Sequence, residues 1–333
     1  MPPIFGLLDV FSTICSATIG RLADFLFNRL HSMQPAVPVT TDSPACCARA
    51  EALAILRANN PAAKAQAAQA LHARVADGSA QWDSQRVIDE PPGLPGRPPR
   101  PELVEPRKLG RRSMQSVEGR AVLLHALAHI EFNAINLALD AVWRFTGMPV
   151  AFYADWLRVA AEEAHHFSLL SARLFEFGHA YGDFPAHDGL WEMCDRTRGD
   201  VLARMALVPR TLEARGLDAS PPIRARLQQA GDHASAAILD VILRDEIGHV
   251  LIGNRWFRYL CERAQLDPHA TYLRLADEYR APRLRGPFNF DARRAAGFDE
   301  AELAALVGLD PRPELESAPS RQARQARESD DEV

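Results

Sequence analysis

This 333-residue chain has few cysteines, few β-branched runs and no excess of positive charge. Each shortage excludes something. Its five cysteines, Cys15, Cys46, Cys47, Cys194 and Cys261, are odd in number. Their spacing fits neither a disulfide framework nor a zinc knuckle, which points to a reducing, cytoplasmic compartment. The apolar N-terminal stretch IFGLLDVFSTICSATIGRLADFLFNRL is interrupted by Asp9, Arg21 and Asp24. Its uncharged runs stop well short of the ~20 residues that a spanning helix needs. It also lacks the basic start of a secretory signal, so a packed extension is expected rather than a transmembrane segment. Net charge is -5 with the basic residues scattered, and no strong nucleic-acid patch emerges. No flavin or nicotinamide fingerprint is evident.

Ala, Leu, Arg and Glu are abundant, while runs of Val, Ile and Thr are scarce. That balance favours helix over strand and sets the fold class as all-α. Residues 1–43 read as an N-terminal extension and linker. Residues 44–112 hold two short helices, broken at Asn60-Pro61, and then a strap, DEPPGLPGRPPRPELVEPRKLGRR. Its seven prolines exclude helix and central strand. Residues 113–264 carry four long helical patterns. They run from a Ser116 cap to Gly147, from Pro149 to near Gly178, from Asp188 to about Gly216, and from an Asp232 cap to about Ala264. A separate short helix is expected near 222–230. Residues 265–312 form a C-terminal helical extension, and 313–333 read as a disordered tail.

The stretch LRDEIGHVLI sets the functional question. Alternate steps of three and four give Leu239, Ile242, Glu246, His249, Gly253, Trp256 and Leu260, the core-facing seam of a bundle helix. A carboxylate there costs several kcal/mol unless a cation, a base or a metal meets it. The same Glu-x-x-His signature recurs in RVAAEEAHHFSLL, in two registers. Glu163 and His166 continue the apolar seam Trp156, Val159, Leu170, Leu174, whereas Glu162 and His165 continue the charged stripe Asp155, Arg158. Periodicity selects Glu163 and His166 as the inward pair.

A dinuclear carboxylate site takes one further Glu from each remaining helix. Glu131 lies on the face of Leu124, Leu127, Ala128, Ile135 and Ala138, 32 residues before Glu163 with Gly147 midway. Glu213 lies 33 residues before Glu246, although Pro209 should kink its helix and Gly216 with Ser-Pro-Pro should interrupt it. The midpoint of that pair falls near Gly231, so residues 222–230 should continue along the same axis after a break. The linking segment from Gly178 to Asp188 has to serve as the long crossover between the second and third helices. Glu162 and Asp245 directly precede Glu163 and Glu246 and are candidates to accept a hydrogen bond from the far nitrogen of a ligand histidine. His125 and His129 read as buried or capping histidines. His179, His187, Asp183 and Asp188 can line a pocket, and loop polarity explains them equally well.

The segments PGRPPRPELVEPRKLGRRS, EGRAVLLHALAHIEFNAINLALDA, EEAHHFSLL, YGDFPAHDGLWE, RMALVPRTLEARGLD, ILRDEIGHV and RGPFNFDARRAAGF resemble the ferritin-like family catalogued as domain of unknown function 455, over about residues 45–310. That resemblance implies a ferritin-like four-helix bundle with a dinuclear, di-iron centre (a manganese–iron pair being the variant). The matching ligand positions are Glu131, Glu163, His166, Glu213, Glu246 and His249. A more distant likeness to the ferritin-like tRNA hydroxylase points to oxygen activation. The leading expectation is a non-haem di-iron oxidoreductase, a hydroxylase or monooxygenase, acting on a small molecule or a modified base. It would use dioxygen and an external electron donor, and a homodimer is compatible. Iron handling as a ferroxidase and a metal-free helical interaction scaffold are the alternatives.

Overall fold

The computed structural model describes residues 47–109 and 113–309. The expectations for the N-terminal extension, for Cys15, Cys46 and His31, for residues 110–112 of the strap and for the tail lie outside them.

Two short helices, α1 (Ala48–Leu56) and α2 (Pro61–Ala76), come first. The Asn60 side chain accepts a hydrogen bond from the Ala63 amide and Pro61 occupies the first turn, the pairing that starts a helix cheaply. The strap follows without regular structure apart from a 3₁₀ turn at Pro106–Lys108. Arg49 on α1 is fully buried and donates to the carbonyls of Val142 and Trp143. Those carbonyls lie in the last turn of the helix Val117–Arg144, whose C-terminal dipole a cation complements.

Four long rods form an all-α bundle, with no strand among the described residues. Helix α3 (Val117–Arg144) starts at Ser116, whose side chain accepts from the Gly119 amide. Gly147, at φ +80°, makes the turn into α4 (Val150–Glu176). By length and composition α3 is apolar enough to cross a membrane, but it lies in the bundle interior with 72% of its most apolar window buried. The last rod, α8 (His233–Arg263), opens on Asp232, which accepts from the Ser235 amide.

The third rod corrects three expectations. It does not begin after Asp188. Residues Gly189–Arg196 form a separate short helix, α5, and the rod starts at Val201, where the Asp200 carboxylate accepts from the Leu202 and Ala203 amides. The crossover therefore extends past Asp188 to Asp200 and climbs alongside α3. The Gly182 amide donates to His125 Nε2, the His187 carbonyl accepts from His129 Nε2, and Cys194 Sγ lies 3.4 Å from Asp140 Oδ2.

The rod then runs through α6 (Val201–Leu207), a π-helical segment (Val208–Glu213) and α7 (Ala214–Gln229) without a break at Gly216 or at Pro221-Pro222. There is no separate helix at 222–230. Tertiary partners explain why the breaker residues fail to break it. Pro221 lacks the N–H that the Leu217 carbonyl would accept, and Asn289 Nδ2 donates to that carbonyl instead at 3.2 Å. At Pro209 the irregularity takes the form of the π-segment, where the Thr211 hydroxyl donates to the Ala206 carbonyl at 2.8 Å.

Helices α9 (Pro268–Glu278), α10 (Phe290–Ala295) and α11 (Glu300–Val307) complete the described chain. Phe298, Ala292 and Leu303 pack with Leu217 and Val250 in a small core of their own. That core clamps α7 against α8.

Candidate metal centre

Glu131 on α3, Glu163 and His166 on α4, and Glu246 on α8 are all buried, and one ligand atom from each lies within 4.8 Å of the others. His166 Nδ1 is 3.2 Å from Glu131 Oε2 and 3.4 Å from Glu163 Oε2. His249, also fully buried, joins the cluster through Nδ1, which lies 2.9 Å from Glu163 Oε1 and 3.9 Å from Glu246 Oε1. Glu163 thus faces both imidazoles. His165 points outward and is exposed. Glu213, at the end of the π-segment, is buried and feels the charges of Glu246 and Glu163. Among the described residues it makes no ion pair or side-chain hydrogen bond.

The approach of His249 to Glu163 is not aligned as a hydrogen bond. His249 Nδ1, Glu163 Oε1, Glu246 Oε2 and Glu213 Oε2 are all buried without a hydrogen-bond partner. Four unsatisfied buried polar atoms are an expensive arrangement for a closed apo protein. Those of His249, Glu163 and Glu246 belong to residues in direct approach, whereas Glu213 is not among the residues whose ligand atoms lie within 4.8 Å of one another. Lone pairs aimed at a common volume suit a cation.

The distal nitrogen of each imidazole is held from the opposite helix. His166 Nε2 lies 3.1 Å from Asp245 Oδ2, and His249 Nε2 lies 2.8 Å from Glu162 Oε2. Each acidic residue therefore serves the histidine across the interface rather than the one on its own helix. With Nε2 donating, each Nδ1 lone pair turns inward toward the carboxylates. Asp245 also accepts from Arg244, and burial, which would raise its carboxyl, is outweighed by Arg244 and His166, which hold it below its ordinary value.

The electrostatics describe the cluster with no ion in it. Burial raises the Glu131 and Glu246 carboxyls above their ordinary range, with the Glu163 charge adding to it. Burial likewise raises Glu213, and Glu246 and Glu163 reinforce the shift. Burial alone would raise Glu163 too, but the charge of the adjacent His249 and the hydrogen bond from His166 hold it below the carboxylate range. Burial opposes charge on His166, yet Glu131 and Glu163 lift it to about 11. His249 is lifted in the same way, chiefly by Glu163 and Glu162. Without a metal, protons must stand in for missing positive charge. Four carboxylates and two neutral imidazoles would balance two divalent cations.

Two further buried histidines on α3, His125 and His129, hold the crossover. His125 accepts from the Gly182 amide. His129 Nδ1 meets the Tyr181 hydroxyl at 2.8 Å while Nε2 meets the His187 carbonyl. Burial lowers both imidazoles to about 4. His187 lines, with His129 and Asn133, a cavity of about 220 Å³ beneath the crossover. Asp188 is paired with Arg97 at 2.8 Å, and His179 lies 3.8 Å from Asp183.

Residues 57–304 match the family described as Protein of unknown function (DUF455). The chain is also 52% identical over 213 residues to an "Uncharacterized protein" of Haemophilus influenzae (strain ATCC 51907 / DSM 11121 / KW20 / Rd), covering 62% of this chain and 74% of that protein. No solved structure matches it.

Proposed function

We propose that this chain, which belongs to the family described as Protein of unknown function (DUF455), is a dioxygen-dependent oxidoreductase built on a dinuclear non-haem iron centre. Glu131, Glu163, His166, Glu213, Glu246 and His249 would hold the two ions. The observation that carries the reading is the convergence of unpartnered carboxylate and imidazole atoms in a buried interior, with both histidines oriented by acids from the opposite helix. Two ferrous ions bound there would supply reducing electrons and Lewis acidity for dioxygen chemistry.

The residues themselves set the conditions for that chemistry. Asp245 and Glu162 hold the imidazoles in one tautomer and one orientation, so that ligand geometry does not relax between turnovers. Glu163 faces both histidines and is placed to serve both metal positions. Buried Ala128, Ile135, Val159, Leu170 and Ile242 continue the seams above and below the ligands and exclude bulk water. The π-segment at Val208–Glu213 lets Glu213 face inward from a rod that Pro209 disturbs. Electrons beyond those of the two ions come from an external donor, and the substrate class is a small organic molecule.

The test is anaerobic loading with ferrous ion followed by a pulse of dissolved oxygen, read by an oxygen electrode and by optical absorption. Stoichiometric oxygen uptake with a ligand-to-metal absorption band in the parent, lost in Glu163→Ala, supports the proposal. Absence of oxygen uptake by an iron-loaded chain refutes it.

A further inference from the structure

A second site lies away from the bundle core. Helices α9 and α11, with residues 280–284 between α9 and α10, enclose a cavity of about 710 Å³. That volume falls in the range of roughly 300–1,000 Å³ typical of small-molecule sites. Its walls are largely apolar, with Leu273, Ala276, Leu284, Phe298 and Leu306 among them. Leu273 is 54% exposed, so apolar wall is left open to solvent.

The lining charges favour an anion by number, with Arg210, Arg280, Arg283 and Arg293 set against Asp277 and Glu302. Two cavity-lining arginines, Arg280 and Arg283, are exposed and make no ion pair among the described residues. Arg293, deeper in, is matched by Asp218 at 2.6 Å. Arg210 is buried in the wall against the rings of Phe257, Tyr272 and Phe298, at 4.9, 4.8 and 5.2 Å. Its Nε donates to Asn254 Oδ1 and its Nη2 to Glu302, but its Nη1 has no acceptor. A buried guanidinium edge without an acceptor is costly. An oxygen supplied from inside the cavity would satisfy it.

We propose that this cavity is a binding site for an amphiphilic organic carboxylate, with an apolar body against the α9–α11 wall and its anionic group answered by Arg280, Arg283 and the free edge of Arg210. A strongly hydrated inorganic anion is disfavoured because most of the wall offers it no hydrogen bond. Arg210 stands three residues ahead of Glu213 on the same π-helical segment, so an occupant acts on the segment that carries a candidate metal ligand. The proposal itself does not depend on a metal being bound.

The experiment is calorimetric titration of the full chain with decanoate, repeated with decanol and with inorganic phosphate. Saturable one-site binding of decanoate is expected, with decanol at least tenfold weaker and phosphate unable to displace decanoate. The exposed pair of substitutions Arg280→Gln and Arg283→Gln should weaken decanoate at least tenfold and leave decanol unchanged. Ala276→Trp, which fills the cavity from α9, should abolish both. Circular dichroism of each variant confirms that the fold survives. No saturable binding of decanoate overturns the site. So does equal binding of decanol, full displacement by phosphate, or indifference to both sets of substitutions.

Discussion

Asp245 on α8 accepts a hydrogen bond from His166 Nε2 on α4 at 3.1 Å, across the helix interface and away from the histidine of its own helix. Glu162 returns the relationship to His249. The two acids brace the two candidate ligand histidines from outside the buried carboxylate cluster. Replacing Asp245 by Ala should lower ferrous affinity roughly 10–100-fold, the usual cost of losing such a partner, with helix content unchanged. Competition titration against a chelator measures this, and an unchanged affinity would show that the hydrogen bond does not orient His166. Asp245→Asn, which keeps an acceptor oxygen, should recover part of the loss.

Metal-free protein should be least comfortable when its core carboxyls ionise. Glu131, Glu213 and Glu246 have folded-state values above their unfolded ones. Between the two values the unfolded chain has released the proton and the folded chain retains it, so stability falls as pH rises through that window. Glu213→Gln should therefore raise the melting temperature of the apo protein at pH 7 and flatten its decline above pH 5. The same variant should bind fewer ions. Thermal melts followed by circular dichroism across pH 5–8 check the first part, and a melting temperature lower than that of the parent would contradict it.

The crossover carries the opposite dependence. Burial lowers His129 to about 4 from its ordinary 6.5. Between those values the unfolded chain binds a proton that the folded chain refuses, so this group costs stability as pH falls from 6.5 toward 4. His129→Gln should reduce the acid sensitivity of unfolding in that window, even where the substitution lowers stability at pH 7 through its lost bonds to Tyr181 and the His187 carbonyl. Urea titrations at pH 4.5 and pH 7 compare the two slopes, and equal acid sensitivity in parent and variant would exclude His129 as the source.

Two glycines on α8 should behave in opposite ways. A Cβ added to Gly253 would meet Pro209 Cβ at 2.5 Å, at the start of the π-segment, whereas one added to Gly248 meets nothing within 4 Å. Gly253→Ala should destabilise by about 1–3 kcal/mol, as overpacking does, and should displace Glu213 enough to reduce metal binding. Gly248→Ala should stabilise by about 0.5–1 kcal/mol through helix propensity alone. Denaturant melts and ferrous titration of the two variants make the comparison.

Much of the bundle is legible in the chain because its signals are local. Ser116, Gly147 and Asp232 mark helix ends by capping or by a positive φ, and the structure uses each of them so. The inward register of Glu163 and His166 follows from the apolar seam alone. The third rod was illegible because its breakers are answered from far away in sequence. Asn289 relieves Pro221 from the C-terminal extension, and nothing near Pro221 announces it. The true start of that rod was marked locally by Gly199-Asp200, a stop followed by a cap, which the earlier Asp188 obscured. The pairing of Asp245 with His166 and of Glu162 with His249 was also hidden, since helical periodicity places a residue on a face but does not name its neighbour on another helix.

Anomalous diffraction at the iron edge, from crystals of the ferrous-loaded chain, tests the central claim most directly. Two iron peaks bounded by Glu131, Glu163, His166, Glu213, Glu246 and His249 are the expected result. A fully loaded crystal with no peak among these side chains, or with the carboxylates instead turned away and hydrogen-bonded to one another, would contradict it.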